Sequence, residues 1–292
     1  MNDFYKRTAK VLIFVIFLQL FSIFMTQEFL ISRVIEIPSY EPFGNATVTQ
    51  AGLNAASLIV SVIVMTLAII FVIRIFGKLM IKYMFLIFSI IILWTVNPIY
   101  ISAIQKNHFQ NISLPLDLIA NVILIAVLIY ATIKFNRKLL LVSGFIVFAE
   151  VGSFLAQAFI PPTLFLILLA FALYDIFAVF YGPLKYFVRE LGLPTKPSKK
   201  RVKRIDKIKR SLNLGIFAIN IGDMIVGSGD FIFYSLVASA ALMLSGLFVS
   251  IAVMAVICIG FFANAIILNK FRRVLPGLPI PILLALAVLL IL

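Results

Sequence analysis

The 292-residue chain contains 11 acidic residues, and Asp117, Glu150, Asp175, Asp223 and Asp230 stand within or beside long apolar stretches. An ionisable side chain in hydrocarbon costs about 2.5–3.5 kcal/mol on insertion scales, so each is a candidate for function. Asp175, in FALYDIFAVFYGP, has no basic residue within nine positions, and Asp230, in GSGDFIFYS, also lacks a nearby cation. Two such carboxylates brought together in a low-dielectric site hold one proton between them, because desolvation and the first charge oppose the second ionisation. One then serves as a base and the other as an acid, which hydrolysis by activated water requires. Gly227 and Gly229 bring the backbone close to the second Asp and leave room for a substrate. The alternative is an ion channel or secondary transporter that uses the same intramembrane acids. Glu150, between Gly144 and Gly152, reads as a structural acid, protonated and hydrogen-bonded to a neighbouring helix. Asp117 falls at the mouth of a span, within reach of water, and Asp223 falls in a segment suited to a turn.

The elements that position these acids follow from composition. Hydrophobic residues make up 63 % of the chain and charged residues 12 %. Soluble domains carry about twice that share of charge, so a soluble fold is excluded. The apolar residues come in blocks long enough to cross about 30 Å of hydrocarbon. They place nine helices at 9–27, 52–76, 80–104, 114–133, 139–159, 163–188, 228–245, 246–269 and 277–292. The expected fold is an all-α polytopic membrane protein. Of the 25 Lys and Arg residues, all but Arg33 and Lys106 fall at the N-terminus or in alternate connections. Basic loops stay in the cytoplasm, so the N-terminus is expected inside and the C-terminus outside. This assigns the net charge of +14 to loops rather than to nucleic acid. The most basic connection divides the chain into a six-span part (1–190), a cytoplasmic loop (191–211) and a three-span part (212–292). Pro194 and Pro197 stop the helix that precedes the basic run. With one cysteine, Cys258, and one histidine, His108, no internal disulfide can form and no metal or cofactor site is expected.

Three motifs then carry a family resemblance. GSGDFIFYS (227–235) resembles the GxGD signature of presenilin, and Tyr174-Asp175 with Gly182-Pro183-Leu184 resembles the presenilin YD motif and its continuation. LPGLPIPI (275–282) resembles the family's Pro-Ala-Leu motif, with Gly277 in place of Ala. The three occur in order, each on the expected span. The resemblance covers residues from about 170 to 292 by motif and the earlier spans by topology. It implies an intramembrane aspartyl protease of the presenilin and signal peptide peptidase group, with Asp175 and Asp230 as the catalytic pair. Tyr174, Gly227 and Gly229 would shape the site, and Pro276, Gly277 and Leu278 would form the loop beside it. The missing methyl at Gly277 would loosen that loop slightly. The basic-residue pattern matches the presenilin orientation, whereas signal peptide peptidases run the opposite way.

The resemblance further implies substrates that are membrane-spanning helices, cut within the bilayer. The short basic loop before span seven, without an apolar plug, is similar to prokaryotic (archaeal) homologues. Activity without obligatory subunits is therefore expected, homo-oligomers are compatible with it, and the location would be a prokaryotic cell membrane. A substrate helix must unwind before water attacks, and its freed backbone groups then need partners. The segment 212–230 is apolar yet rich in Gly and Asn. Short strands there, with Asn220, Gly222 and Asp223 at a turn, would offer an edge to the unwound substrate; the alternative is a cytoplasmic helical lead-in to span seven.

Overall fold

The computed structural model describes residues 2–33, 36–44, 47–77, 79–109, 115–134, 136–182, 218–221, 224–271 and 276–292. Six helices come first: α1 (Asn2–Ser32), α2 (Val48–Phe76), α3 (Leu79–His108), α4 (Leu116–Lys134), α5 (Arg137–Ala158) and α6 (Pro161–Phe180). Two strands follow, β1 (Ala218–Ile221) and β2 (Met224–Gly227), then α7 (Ser228–Phe271) and α8 (Pro279–Ile291). Seven of the described helices are long and apolar enough to cross a membrane. Large apolar side chains such as Phe17, Val64, Phe71 and Phe248 lie exposed on their outer faces, as lipid-facing surfaces do. The protein is a multi-pass integral membrane protein.

α7 is 44 residues long, and a straight helix of that length would reach about 66 Å. It is not straight. Gly246 has φ 85°, a left-handed conformation that favours glycine, and it breaks the helix. The Ser250 hydroxyl donates to the Ala238 carbonyl at 2.7 Å, although twelve residues of straight helix would separate them by about 18 Å. The two arms therefore fold back on each other, and the break falls where the sequence divides spans seven and eight. α8 has 13 residues, shorter than the 277–292 span expected and than the roughly 20 of a perpendicular crossing.

The two short strands are present and pair antiparallel, Ile219 with Val226 and Asn220 with Ile225. β-Branched Ile and Val at four of the eight positions favour extended backbone. Asn220 lies in β1, not in a turn. Gly222 and Asp223 are outside the described residues, as is the basic 191–211 connection with Pro194 and Pro197.

α7 is the hub of the bundle, packing against α1, α5 and α8, while α6 packs against α2 and α8. In lipid there is no hydrophobic drive to pair helices, so close approach and buried polar contacts hold them together. Gly152 on α5 is the point of closest approach: a Cβ there would stand 2.8 Å from both Ile232 O and Leu236 N of α7. Beside it, the Ser22 hydroxyl of α1 lies 2.6 Å from Ser239 Oγ and 3.2 Å from the Ala149 and Ser235 carbonyls. Thr26 Oγ1 meets Ser153 Oγ at 2.6 Å, and the Tyr100 hydroxyl donates to the same Ser153 at 2.7 Å. This polar seam locks α1, α3, α5 and α7 into one register, beside a main apolar core continuing from Val11 to Leu289 and a smaller cluster of Met25, Phe29, Val96 and Tyr100.

Candidate active site

α6 begins on Pro161 and Pro162, whose missing amides fall where a helix has none to use. It ends at Phe180, where the Gly182 amide donates to the Phe177 carbonyl at 2.8 Å. Pro183 accounts for the stop, because the residue before a proline is pushed out of the helical region. The sequence places Asp175 midway along a span; the structure places it five residues from the end of α6. That is a rise of about 7–8 Å from the helix terminus.

Asp230 is also near a helix end, in the first turn of α7. β2 runs into this helix without a connecting residue, so the hairpin delivers Asp230 directly. Phe231 anchors the turn: it is fully buried, edge-on to Phe14 of α1 at 5.1 Å and stacked on Phe148 of α5 at 5.8 Å. One turn from each Asp, Phe171 and Phe233 meet with ring centroids 4.7 Å apart, joining α6 to α7.

The antiparallel pairing of spans six and seven suggested by sequence is only partly present. α6 and α7 touch sparsely, and each packs far more extensively on other helices. What gathers their acids is the segment Pro276-Gly277-Leu278 before α8. The Leu278 amide donates to Asp175 Oδ2 at 3.0 Å, and the Gly277 amide also donates to that carboxyl. On its other side Gly277 meets Asp230: a Cβ at 277 would stand 2.6 Å from Asp230 Cγ and 2.8 Å from Oδ1. The two carboxyl groups are close enough to feel each other's charge. Gly277 is therefore not a looser alanine, as sequence suggested, but a position where the methyl has no room while Asp230 keeps its place.

The other expected site residues divide. Gly227 is adjacent, its Cβ direction ending 3.9 Å from Asp230 Oδ2, an ordinary contact. Among the described residues, nothing lies within 4 Å of a Cβ at Gly229. The Pro276 carbonyl accepts from the Asn264 side-chain amide at 3.4 Å. Tyr174 is turned to the edge of Phe171, with ring centroids 6.4 Å apart, and packs on the core. Asp117 is in the first turn of α4. Glu150 is fully buried, and neither carboxyl oxygen has a hydrogen-bond partner among the described residues. The interhelical bond expected for it is absent there; the Tyr100 hydroxyl of α3 donates to Ser153 at 2.7 Å.

Sequence reasoning passed over three residues that hold this site. The Tyr234 hydroxyl donates to the Gly277 carbonyl at 3.0 Å, and the Asn264 amide donates to the same oxygen at 2.9 Å. Gly260 seats α8, since a Cβ there would lie 2.7 Å from Pro281 Cα. Asn264 was detectable as an amide inside an apolar span, where polar side chains seek partners on other segments. Gly260 was not, because its need arises only from the packing of α8.

Two carboxyl groups beside one backbone loop, each near a helix end, form an arrangement able to hold and activate a water between an acid and a base. No curated protein matches the chain. Residues 198–292, which contain Asp230 and the Pro276–Leu278 loop, match the protein-family model Presenilin.

Proposed function

We propose that this protein is an intramembrane aspartyl protease that hydrolyses peptide bonds within membrane-spanning segments of other proteins. Presenilin-family members are intramembrane aspartic proteases, and the match over residues 198–292 supports the same chemistry here. The observation that carries the reading is the meeting of Asp175 and Asp230 at Gly277. In this mechanism one carboxylate takes a proton from water while the other, protonated, polarises the scissile carbonyl. Water enters from the side where α6 ends and α7 begins, the cytoplasmic side in the proposed topology. That topology has nine spans, counting the two arms of α7 and the short α8, with the N-terminus inside and the C-terminus outside. The chain divides into a six-span part, the basic 191–211 loop and a three-span part, in a prokaryotic cell membrane.

The β1–β2 hairpin supports substrate handling, because it ends three residues before Asp230 and, among the described residues, no further strand pairs with its outer edges. An unwound substrate added to one edge would satisfy its backbone groups within the bilayer. Tyr174, Gly227, Gly229 and Pro276 border the bound peptide. Neither a cofactor nor an obligatory subunit enters the reaction, and homo-oligomers are compatible with it.

The test is cleavage of a single-span substrate by the purified chain in liposomes, with Asp175→Asn and Asp230→Asn as controls. Cleavage by wild type and by neither variant supports the proposal. Solute or ion flux without cleavage would replace it with the channel or transporter reading, and a strict need for added subunits would remove the claim of autonomy.

A further inference from the structure

The peptide group between Gly277 and Leu278 is held at both ends. Its N–H donates to Asp175 Oδ2 at 3.0 Å. Its carbonyl accepts from the Tyr234 hydroxyl at 3.0 Å and from the Asn264 amide at 2.9 Å. A peptide unit is planar and rigid, so fixing the carbonyl fixes the direction of the N–H. Two donors on the carbonyl also polarise the unit, which strengthens its N–H as a donor in a low-dielectric site.

The two donors come from opposite arms of the α7 hairpin. Tyr234 is 1 % exposed and one helical turn from Asp230, so its ring stands over the same face of the first arm. Asn264 lies on the second arm, one turn from Phe261, whose ring packs edge-on to Tyr234 at 6.4 Å. The arm that carries Asp230 thus also carries the hydroxyl that orients the amide facing Asp175. Since α6 and α7 touch sparsely, this relay supplies a registration that direct helix packing does not.

We infer that Tyr234 and Asn264 are positioning residues for Asp175, acting through the Gly277–Leu278 peptide to set its carboxyl against Asp230. The inference rests on the protease reading above and goes beyond it by assigning two residues outside the sequence motifs' acid and glycine positions. Neither touches the substrate; both determine where one carboxyl stands and how strongly its anion is held.

The test compares Tyr234→Phe, Asn264→Leu and Asn264→Gln with wild type in the single-span cleavage assay, alongside thermal unfolding in detergent. A neutral hydrogen bond contributes modestly, so each of Tyr234→Phe and Asn264→Leu should lower kcat about fivefold to tenfold while KM stays within about twofold. The acidic limb of the pH–rate profile should move to higher pH, because the weakened amide favours the Asp175 anion less. Asn264→Gln, which keeps an amide donor, should recover most of the lost rate. Full activity with an unmoved profile in both donor-lacking variants would overturn the inference and leave the protease reading intact. Loss of activity only in step with thermal stability, or loss of the folded protein in both, would assign the pair a purely structural role and overturn it as well. A wild-type protein that cleaves nothing would instead fail the protease reading itself.

Discussion

Gly277 stands against Asp230 so closely that a methyl group at position 277 would lie 2.6 Å from the Asp230 carboxyl carbon. Gly277→Ala must therefore rotate the Asp230 side chain or displace the loop. An off-rotamer side chain costs about 0.5–1.5 kcal/mol. We expect kcat to fall up to about tenfold, with unfolding temperature little changed. Cleavage kinetics beside a melting curve test this; wild-type kcat in Gly277→Ala would show that the carboxyl adapts freely.

In the proposed mechanism, a pair sharing one proton would set the pH dependence. At low pH both carboxyls are protonated and the base is lost; at high pH both are ionised and the acid is lost. Cleavage should follow a bell-shaped profile, measured in vesicles with pH equal on both sides. Asp175→Asn and Asp230→Asn should each reduce the rate by at least about a hundredfold. A rate rising monotonically to high pH would contradict a shared-proton pair.

Gly260 and Gly229 form a matched pair for substitution by alanine, because both lie in α7 and only one is crowded. Alanine is favoured over glycine in helices by about 1 kcal/mol. At Gly229, where no described residue lies within 4 Å of a Cβ, that preference should show as unchanged or raised thermal stability, with any deficit appearing in KM as space for the peptide shrinks. At Gly260 the added methyl would meet the Pro281 backbone, and overpacking of this kind costs about 1–3 kcal/mol. Gly260→Ala should melt at lower temperature and lose activity as α8 and its loop shift. Equal melting temperatures for the two variants would count against this account of α8 seating.

Glu150 tests whether a buried acid without a described partner contributes to stability. A buried polar group lacking hydrogen bonds is destabilising, and an apolar replacement of similar size relieves that cost. Glu150→Leu should be at least as stable as wild type and retain cleavage. A fall of several degrees in melting temperature would reveal a dependence on the carboxyl that its surroundings do not explain.

Much of the fold was legible because the bilayer restricts the options. Long apolar blocks must be helices, so α1 to α5 fall close to their expected spans, and the turn at Gly246 falls where spans seven and eight were divided. The apolar segment before α7, rich in Gly and Asn, allowed either short strands or a helical lead-in; the strands are present, and Asn220 is a strand residue. α6 ends at Phe180, while the span expected to 188 runs on into residues outside the described ones. The expected interhelical bond of Glu150 is absent among the described residues, and the nearby Tyr100 hydroxyl of α3 donates to Ser153.

The sequence by itself determined that this is a membrane protein of many helices and which of its few acids stand in apolar stretches without a nearby cation. Those properties are local, set by the free energy of placing each side chain in hydrocarbon. Only the tertiary structure decided how the acids meet. Asp175 and Asp230 come together less through their own helices than through the Gly277–Leu278 peptide, clamped by Tyr234 and Asn264 from the two arms of α7. A peptide group carries no side-chain signature, and its orientation depends on contacts spanning more than a hundred residues. That is why the acids could be found in the sequence and the geometry that pairs them could not.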